Sequence, residues 1–209
     1  MSVIIEQILD EVKYKLSSEN QVLFISICGC ADTGKSTFAK VIAEVLSAMS
    51  ITCNFLSTDS FMLERQERNK LGISGYNPQS LNIDALLNVL ALLRKNQTYR
   101  YYAYDNKTGR NSDEGIVMRP SKVYIIEGIH AFNQQIRQHT SFGIFIHAED
   151  EILRKMRLRA NVSKRGFDEE TAGEKIASEM MEFNAYVLPD RHYANLIINV
   201  DEHYSYRIA

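Results

Sequence analysis

The chain contains no tryptophan, only three prolines and only three cysteines among its 209 residues. Cys28, Cys30 and Cys53 are an odd number with no zinc-type spacing. That argues against a disulfide framework or a metal knuckle and fits reduced thiols in a cytosolic protein. With so few prolines, no linker marks a boundary, and a single domain over residues 1–209 is expected. Charge of one sign is also missing. The formal net charge is −2, so no global field draws the protein to nucleic acid or to an anionic membrane. No run reaches the ~18 apolar residues of a membrane span. Residues 1–18 lack the basic start, long apolar stretch and small-residue cleavage site of a signal peptide. These absences lead to the expectation of a soluble, cytoplasmic protein with neither nucleic-acid nor membrane partners.

What is present is periodicity. Val3, Ile4, Ile8, Val12 and Leu16 recur near helical spacing. The short apolar runs VLFISIC (22–28), ITCNFLST (51–58), KVYIIEGI (122–129), FGIFIHA (142–148) and NLIINV (195–200) are strand-like. Helical patterns cover 37–49, 82–95, 149–165 and 174–188. Alternation of this kind predicts an α/β fold, with a five-stranded parallel sheet and helices on both faces. Segment 98–120 fits the alternation poorly and reads as a strand pair or a long loop inserted over the sheet. Its tyrosines (Tyr99, Tyr101, Tyr102, Tyr104) suit either a pocket lining or a subunit contact, so the oligomeric state stays open.

The sharpest motif is Gly29-x-x-x-x-Gly34-Lys35-Ser36, between the first strand and a helix. Glycines let a loop bring several backbone N–H groups close to phosphates, and the helix N-terminus adds partial positive charge. Gly29, Cys30, Ala31, Asp32, Thr33, Gly34, Lys35, Ser36 and Thr37 are therefore the expected ATP cradle. Lys35 supplies a full charge to the phosphates and Ser36 offers a hydroxyl to Mg²⁺. Cys30 reads as a small filler.

Ligands in an open parallel sheet sit beyond the carboxyl ends of the strands. Asp59 follows the second strand and Glu127 ends the third, so both should face the loop. One carboxylate can accept a proton from a hydroxyl, and the other can hold Mg²⁺ directly or through water. The bland alternatives are a helix cap for Asp59 and a buried, satisfied carboxylate for Glu127. His130 is either structural or an acceptor contact. Arg154, Arg157, Arg159, Lys164 and Arg165 crowd one helix. They form either a solvated face or a lid over about 154–170 whose arginine steadies a transferred phosphoryl group.

Taken together, GCADTGKST, STDSF, YDNKTGR, YIIEGIHAFN and KRGFDEE, in this order across nearly the whole chain, resemble the uridine kinase and phosphoribulokinase family of P-loop small-molecule kinases. The bacterial uridine-kinase-like branch is the nearest likeness. The resemblance implies a three-layer P-loop fold with a small inserted acceptor-side segment and an arginine-bearing lid. It implies Asp59 as general base, Lys35 and Ser36 at ATP and Mg²⁺, and Glu127 near metal and acceptor. Tyr104 matches the aromatic of the acceptor pocket, and Arg165 matches the lid arginine; Arg157, from the basic helix itself, is the second arginine expected to act in catalysis.

There are departures from the family pattern. Tyr76 stands where an Asp reaches sugar hydroxyls, Gly109 and Arg110 where a base-reading His is expected, and Ala160-Asn161 where the lid has Arg-Asp. Arg110 reads either as a contact to an anionic or oxygen-rich acceptor or as a surface arginine. The leading expectation is transfer of the ATP γ-phosphate to a hydroxyl of a small molecule, with uridine or cytidine first. A non-nucleoside alcohol, such as a sugar phosphate or pantothenate-like acceptor, is the alternative. A nucleotide-binding switch with slow hydrolysis is the second.

Overall fold

The computed structural model describes residues 2–18 and 21–209; Met1, at the head of the expected first helix, lies outside them. Along the chain run α1 (Ser2–Ser18), β1 (Leu23–Gly29), α2 (Lys35–Ala48), β2 (Cys53–Ser57), α3 (Arg65–Leu71) and α4 (Ile83–Arg94). Then come β3 (Tyr99–Asp105), β4 (Arg110–Met118), β5 (Val123–Glu127), α5 (Gln134–Arg137) and β6 (Phe142–His147). The chain finishes with α6 (Asp150–Arg165), α7 (Glu169–Tyr186), β7 (Leu196–Val200) and β8 (Tyr206–Ile208).

The main sheet has the order β2-β5-β1-β6-β7-β8. Its first five strands are mutually parallel, and helices cover both faces. β8 adds a sixth, antiparallel strand against β7, which corrects the expected count of five. Every residue of β1 and β5 is buried, which is why these strands read as unbroken apolar runs. The polar member of β1, Ser26, meets Thr140 Oγ1 at 2.7 Å, so its burial leaves no orphaned hydroxyl. Phe24 and Tyr124 stack with ring centroids 5.6 Å apart, and α1 lays Ile4, Ile5, Ile8 and Val12 into the same core. Among the described residues, no helix is long and apolar enough to cross a membrane.

The inserted segment is a strand pair. β3 and β4 form a separate antiparallel hairpin with an irregularity between Tyr102 and Tyr104. It is joined to the turn that carries Asp59: Asn111 Nδ2 donates to the Ser60 carbonyl (2.8 Å), and Arg65 N donates to the Gly109 carbonyl (2.8 Å). Tyr99 and Tyr101 pack against the core, whereas Tyr102 is exposed.

Truncating a fully buried aromatic removes transfer energy and leaves a cavity. Phe24→Ala is expected to cost about 3–5 kcal/mol, read as a lower midpoint in urea unfolding with an unchanged slope.

Candidate active site at the carboxyl edge of the sheet

Strand order does the assembling. β5 lies between β1 and β2, with Ile27 opposite Glu127 and Ser57 opposite Glu127. The ends of three neighbouring strands therefore carry the glycine-rich loop, Glu127 and the Asp59 turn side by side. They open on one cavity of about 1100 Å³.

The loop needs its glycines for stated reasons. Gly29 has φ 142° and passes so close to the Ile146 carbonyl that a Cβ would collide with it. Gly34 has φ 82°, and a Cβ there would strike the Tyr206 hydroxyl. Tyr206 leans on the loop, its hydroxyl 3.3 Å from the Thr33 carbonyl. Thr33 Oγ1 donates to the Cys30 carbonyl (2.8 Å), and so does Lys35 Nζ (2.7 Å). Of the expected cradle, Ala31, Asp32, Gly34, Lys35, Ser36 and Thr37 line the cavity; Gly29, Cys30 and Thr33 shape it from behind. Cys30 is buried, as a filler should be, and its Sγ lies 3.1 Å from the Tyr76 hydroxyl. That hydroxyl also accepts from Ala31 N at 3.0 Å. Tyr76 is thus a brace for the loop.

The two acids meet here. Ser36 Oγ donates to Glu127 Oε2 at 3.1 Å. Asp59 caps nothing; the cap of its 3-10 turn is Ser57, whose side chain accepts from Asp59 N. Asp59 Oδ1 is buried without a hydrogen-bond partner. Burial pushes the Asp59 carboxyl above the ordinary carboxylate range, against the pull of Lys35, Arg68 and Arg165. Burial, then the Asp59 charge, does the same to Glu127, while Lys35 and hydrogen bonds from Ser57 and Ser36 oppose it. A hydroxyl, a carboxylate and an unsatisfied oxygen suit a hard cation that keeps waters and shares phosphate oxygens. The described residues contain no cage of three or more His, Cys, Asp or Glu.

On the far wall, the arginine helix is not a free solvated face. Arg154 is exposed and paired with Asp150 (2.6 Å), while Arg157 is 4% exposed and pairs with both Asp32 and Glu179. Arg165 reaches Asp32 at 3.1 Å and Asn161 Oδ1 at 3.1 Å.

Two expected acceptor residues are elsewhere. Arg110 is exposed and does not line the cavity. His130 is also absent from the lining: it is buried, with Nε2 2.7 Å from the Gly75 carbonyl and 3.2 Å from Ser80 Oγ. Burial holds its imidazole down at about 4, despite the Gly75 bond. Arg65 and Arg68 of α3 do line the cavity, together with Tyr104. Arg68 donates to Tyr104 Oη at 2.7 Å, and its Nε is buried without a partner.

A glycine-rich turn between a central strand of a parallel sheet and a helix, with acids at the ends of the next two strands on one side, defines the three-layer P-loop α/β class. Within that class, the chain belongs to the Phosphoribulokinase / Uridine kinase family, whose model matches residues 24–204. It is 26% identical over 182 residues to a phosphoribulokinase of Synechocystis sp., covering 87% of this chain and 54% of the relative. It is 28% identical over 184 residues to a chloroplastic uridine/cytidine kinase of Arabidopsis thaliana, covering 85% and 37%. The chain thus spans about half the length, or less, of these relatives. Among solved structures, D-glycerate 3-kinase from Cryptococcus neoformans superposes with a TM-score of 0.74 at 13% identity, covering 99% of each chain. Phosphoribulokinase from Rhodobacter spheroides gives 0.70 at 15%, covering 86% and 70%. At such identities the likeness is one of fold.

The raised carboxyls carry a stability signature. Their ordinary values are 3.8 and 4.5, so above about pH 4 the folded chain holds more protons than the unfolded one. Stability then falls as pH rises through that window toward the raised values. Asp59→Asn is expected to flatten this fall and to melt above the parent protein at neutral pH. Calorimetric scans between pH 4 and 8 test it; parallel curves would contradict the assignment.

Proposed function

We propose that the chain is an ATP- and Mg²⁺-dependent phosphotransferase that moves the γ-phosphate to a hydroxyl of a small molecule. The observation that carries this reading is the Asp59 carboxylate, buried with one oxygen unpaired, in the same cavity as the glycine-rich loop and the Ser36–Glu127 contact. The loop amides and the N-terminus of α2 bind polyphosphate, and Lys35 adds its charge. Ser36 and Glu127 would hold Mg²⁺, which supplies charge neutralisation at the phosphate oxygens when bound. Asp59 is the proton acceptor. Its raised proton affinity suits a base that must take a hydroxyl proton as the bond to phosphorus forms. The α6 arginines sit where charge accumulates and help exclude water.

A nucleoside is the first acceptor suggested by the resemblance. Two observations favour the second reading, an anionic or oxygen-rich non-nucleoside alcohol such as a sugar phosphate or pantothenate-like molecule. Arg65 and Arg68 line the Asp59 side of the cavity, and Arg68 keeps a buried N–H unpaired. Tyr76, at the position from which a carboxylate would reach sugar hydroxyls, is spent on the loop.

An acceptor panel of uridine, cytidine, sugar phosphates and pantothenate, assayed with Mg-ATP by ADP release, tests both. Acceptor-dependent release is expected, and slow hydrolysis indifferent to every acceptor would overturn phosphotransfer. Asp59→Asn should lower turnover by about 10²–10⁴-fold with ATP affinity within about twofold. Arg68→Gln should raise KM for an anionic acceptor about tenfold without moving the KM for ATP; a neutral acceptor would be insensitive.

A further inference from the structure

Asp32 is the fourth residue of the loop motif and adopts φ 64°, a left-handed conformation that Asp and Asn tolerate better than most residues. Its side chain is 7% exposed and faces three cations. Arg157 bonds it, Arg165 reaches its two oxygens at 3.1 and 3.4 Å, and Lys164 stands 3.8 Å away. Burial works against the Asp32 charge, but Arg157 and then Arg165 outweigh it. A carboxylate thus occupies, on the loop itself, the cations that the opposite wall presents to the cavity.

The three cations are not equivalent. Arg157 is held from both sides, by Asp32 and by Glu179, and is nearly sealed from solvent. Lys164 has a side chain 62% exposed, and a long contact from such a group is worth little. Arg165 lies between these extremes. Among the described residues its one other hydrogen-bond partner is the neutral Asn161 Oδ1, and it is the last residue of α6, followed by Gly166 at φ 72°. It can leave Asp32 without orphaning a buried charge, because Arg157 stays.

We propose that Asp32 is a positioning residue that stands in for the incoming phosphoryl group, holding Arg165 over the phosphate loop until a nucleoside triphosphate takes the guanidinium over. This rests on the phosphotransfer reading above. One ion pair is exchanged for another, so only their difference appears in nucleotide affinity. The arm is in place before the ligand arrives, and Asp32 lowers affinity in return.

The test is a double-mutant cycle with Asp32→Asn, Arg165→Gln and the double variant. Binding of the non-hydrolysable β,γ-imido analogue of ATP with Mg²⁺ is measured by calorimetry at fixed ionic strength. Asparagine keeps the left-handed turn available. Asp32→Asn should bind the analogue about tenfold more tightly, a typical coupling between linked sites. Arg165→Gln should cost about ten times more affinity in the Asp32→Asn background than in the parent. Unchanged or weaker binding by a folded Asp32→Asn protein, or an Arg165 effect equal in both backgrounds, overturns the exchange while leaving phosphotransfer standing. No binding of the analogue by the parent protein overturns both.

A second measurement needs no variant. Hydrogen exchange of the parent without nucleotide should find the amides of 162–167 already protected, because Asp32 holds the end of α6. Rapid exchange there, slowed only when the analogue is added, would also overturn the proposal.

Discussion

One guanidinium tied at both ends organises this molecule. Arg157 joins Asp32 of the loop to Glu179 of α7, so two successive helices late in the chain share a single buried charge with a loop 125 positions before it. Its ring neighbour Tyr76, whose centroid lies 6.0 Å from the guanidinium carbon, extends the link to the 73–80 segment and back to Cys30 and Ala31. Glu182 secures that segment again through Ser74 N and Asn77 Nδ2. The guanidinium keeps one carboxylate if the other is neutralised, and only the loss of both would strand a buried charge in a medium that solvates it poorly. The phosphate loop is thereby held open without the ligand that would otherwise order it.

The same cavity stores an electrostatic cost. Two carboxyls, both with raised proton affinity, sit within influence of each other, and one exposes an unpaired oxygen to the interior. Glu127 is met by hydrogen bonds from Ser36 and Ser57, whereas Asp59 Oδ1 has no such partner. Stability is given up here in the way expected of a site organised for chemistry. The hairpin of β3 and β4 shares in this. It fixes the Asp59 turn through Ser60 and supports α3 through Gly109, so the acid and the two arginines opposite it are placed by one inserted element.

How far this could be seen in the sequence follows from what leaves a pattern. Strands buried on both faces leave continuous apolar runs, and all five parallel strands were visible as such. β8 was not, because three residues containing Arg207 make no run. α3 was missed for a related reason: RQERNKL is polar nearly all round, has no buried residue and shows no apolar period. Arg65 and Arg68 were therefore unsignalled, and Arg110 drew attention in their place. A count of arginines on α6 could not say which was buried. The better clue was local, since Leu153 and Met156 beside Arg157 are both core residues. Of the two readings open for His130, the structural one fits its ring, which turns to Gly75 and Ser80.

Tyr206 touches the carbonyls of Thr33 and Gly34, some 170 positions earlier in the chain. The nucleotide seat is thus closed by a residue that the ribosome adds long after the seat itself has emerged. A nascent chain can build the first strands and the helix behind them, yet the Thr33–Gly34 side of the loop lacks its tyrosine contact until the edge strand β8 has docked. The contact that Tyr206 makes behind the loop therefore waits on residues some 170 positions downstream, whereas the Tyr76 contacts to Cys30 and Ala31 need far less of the chain.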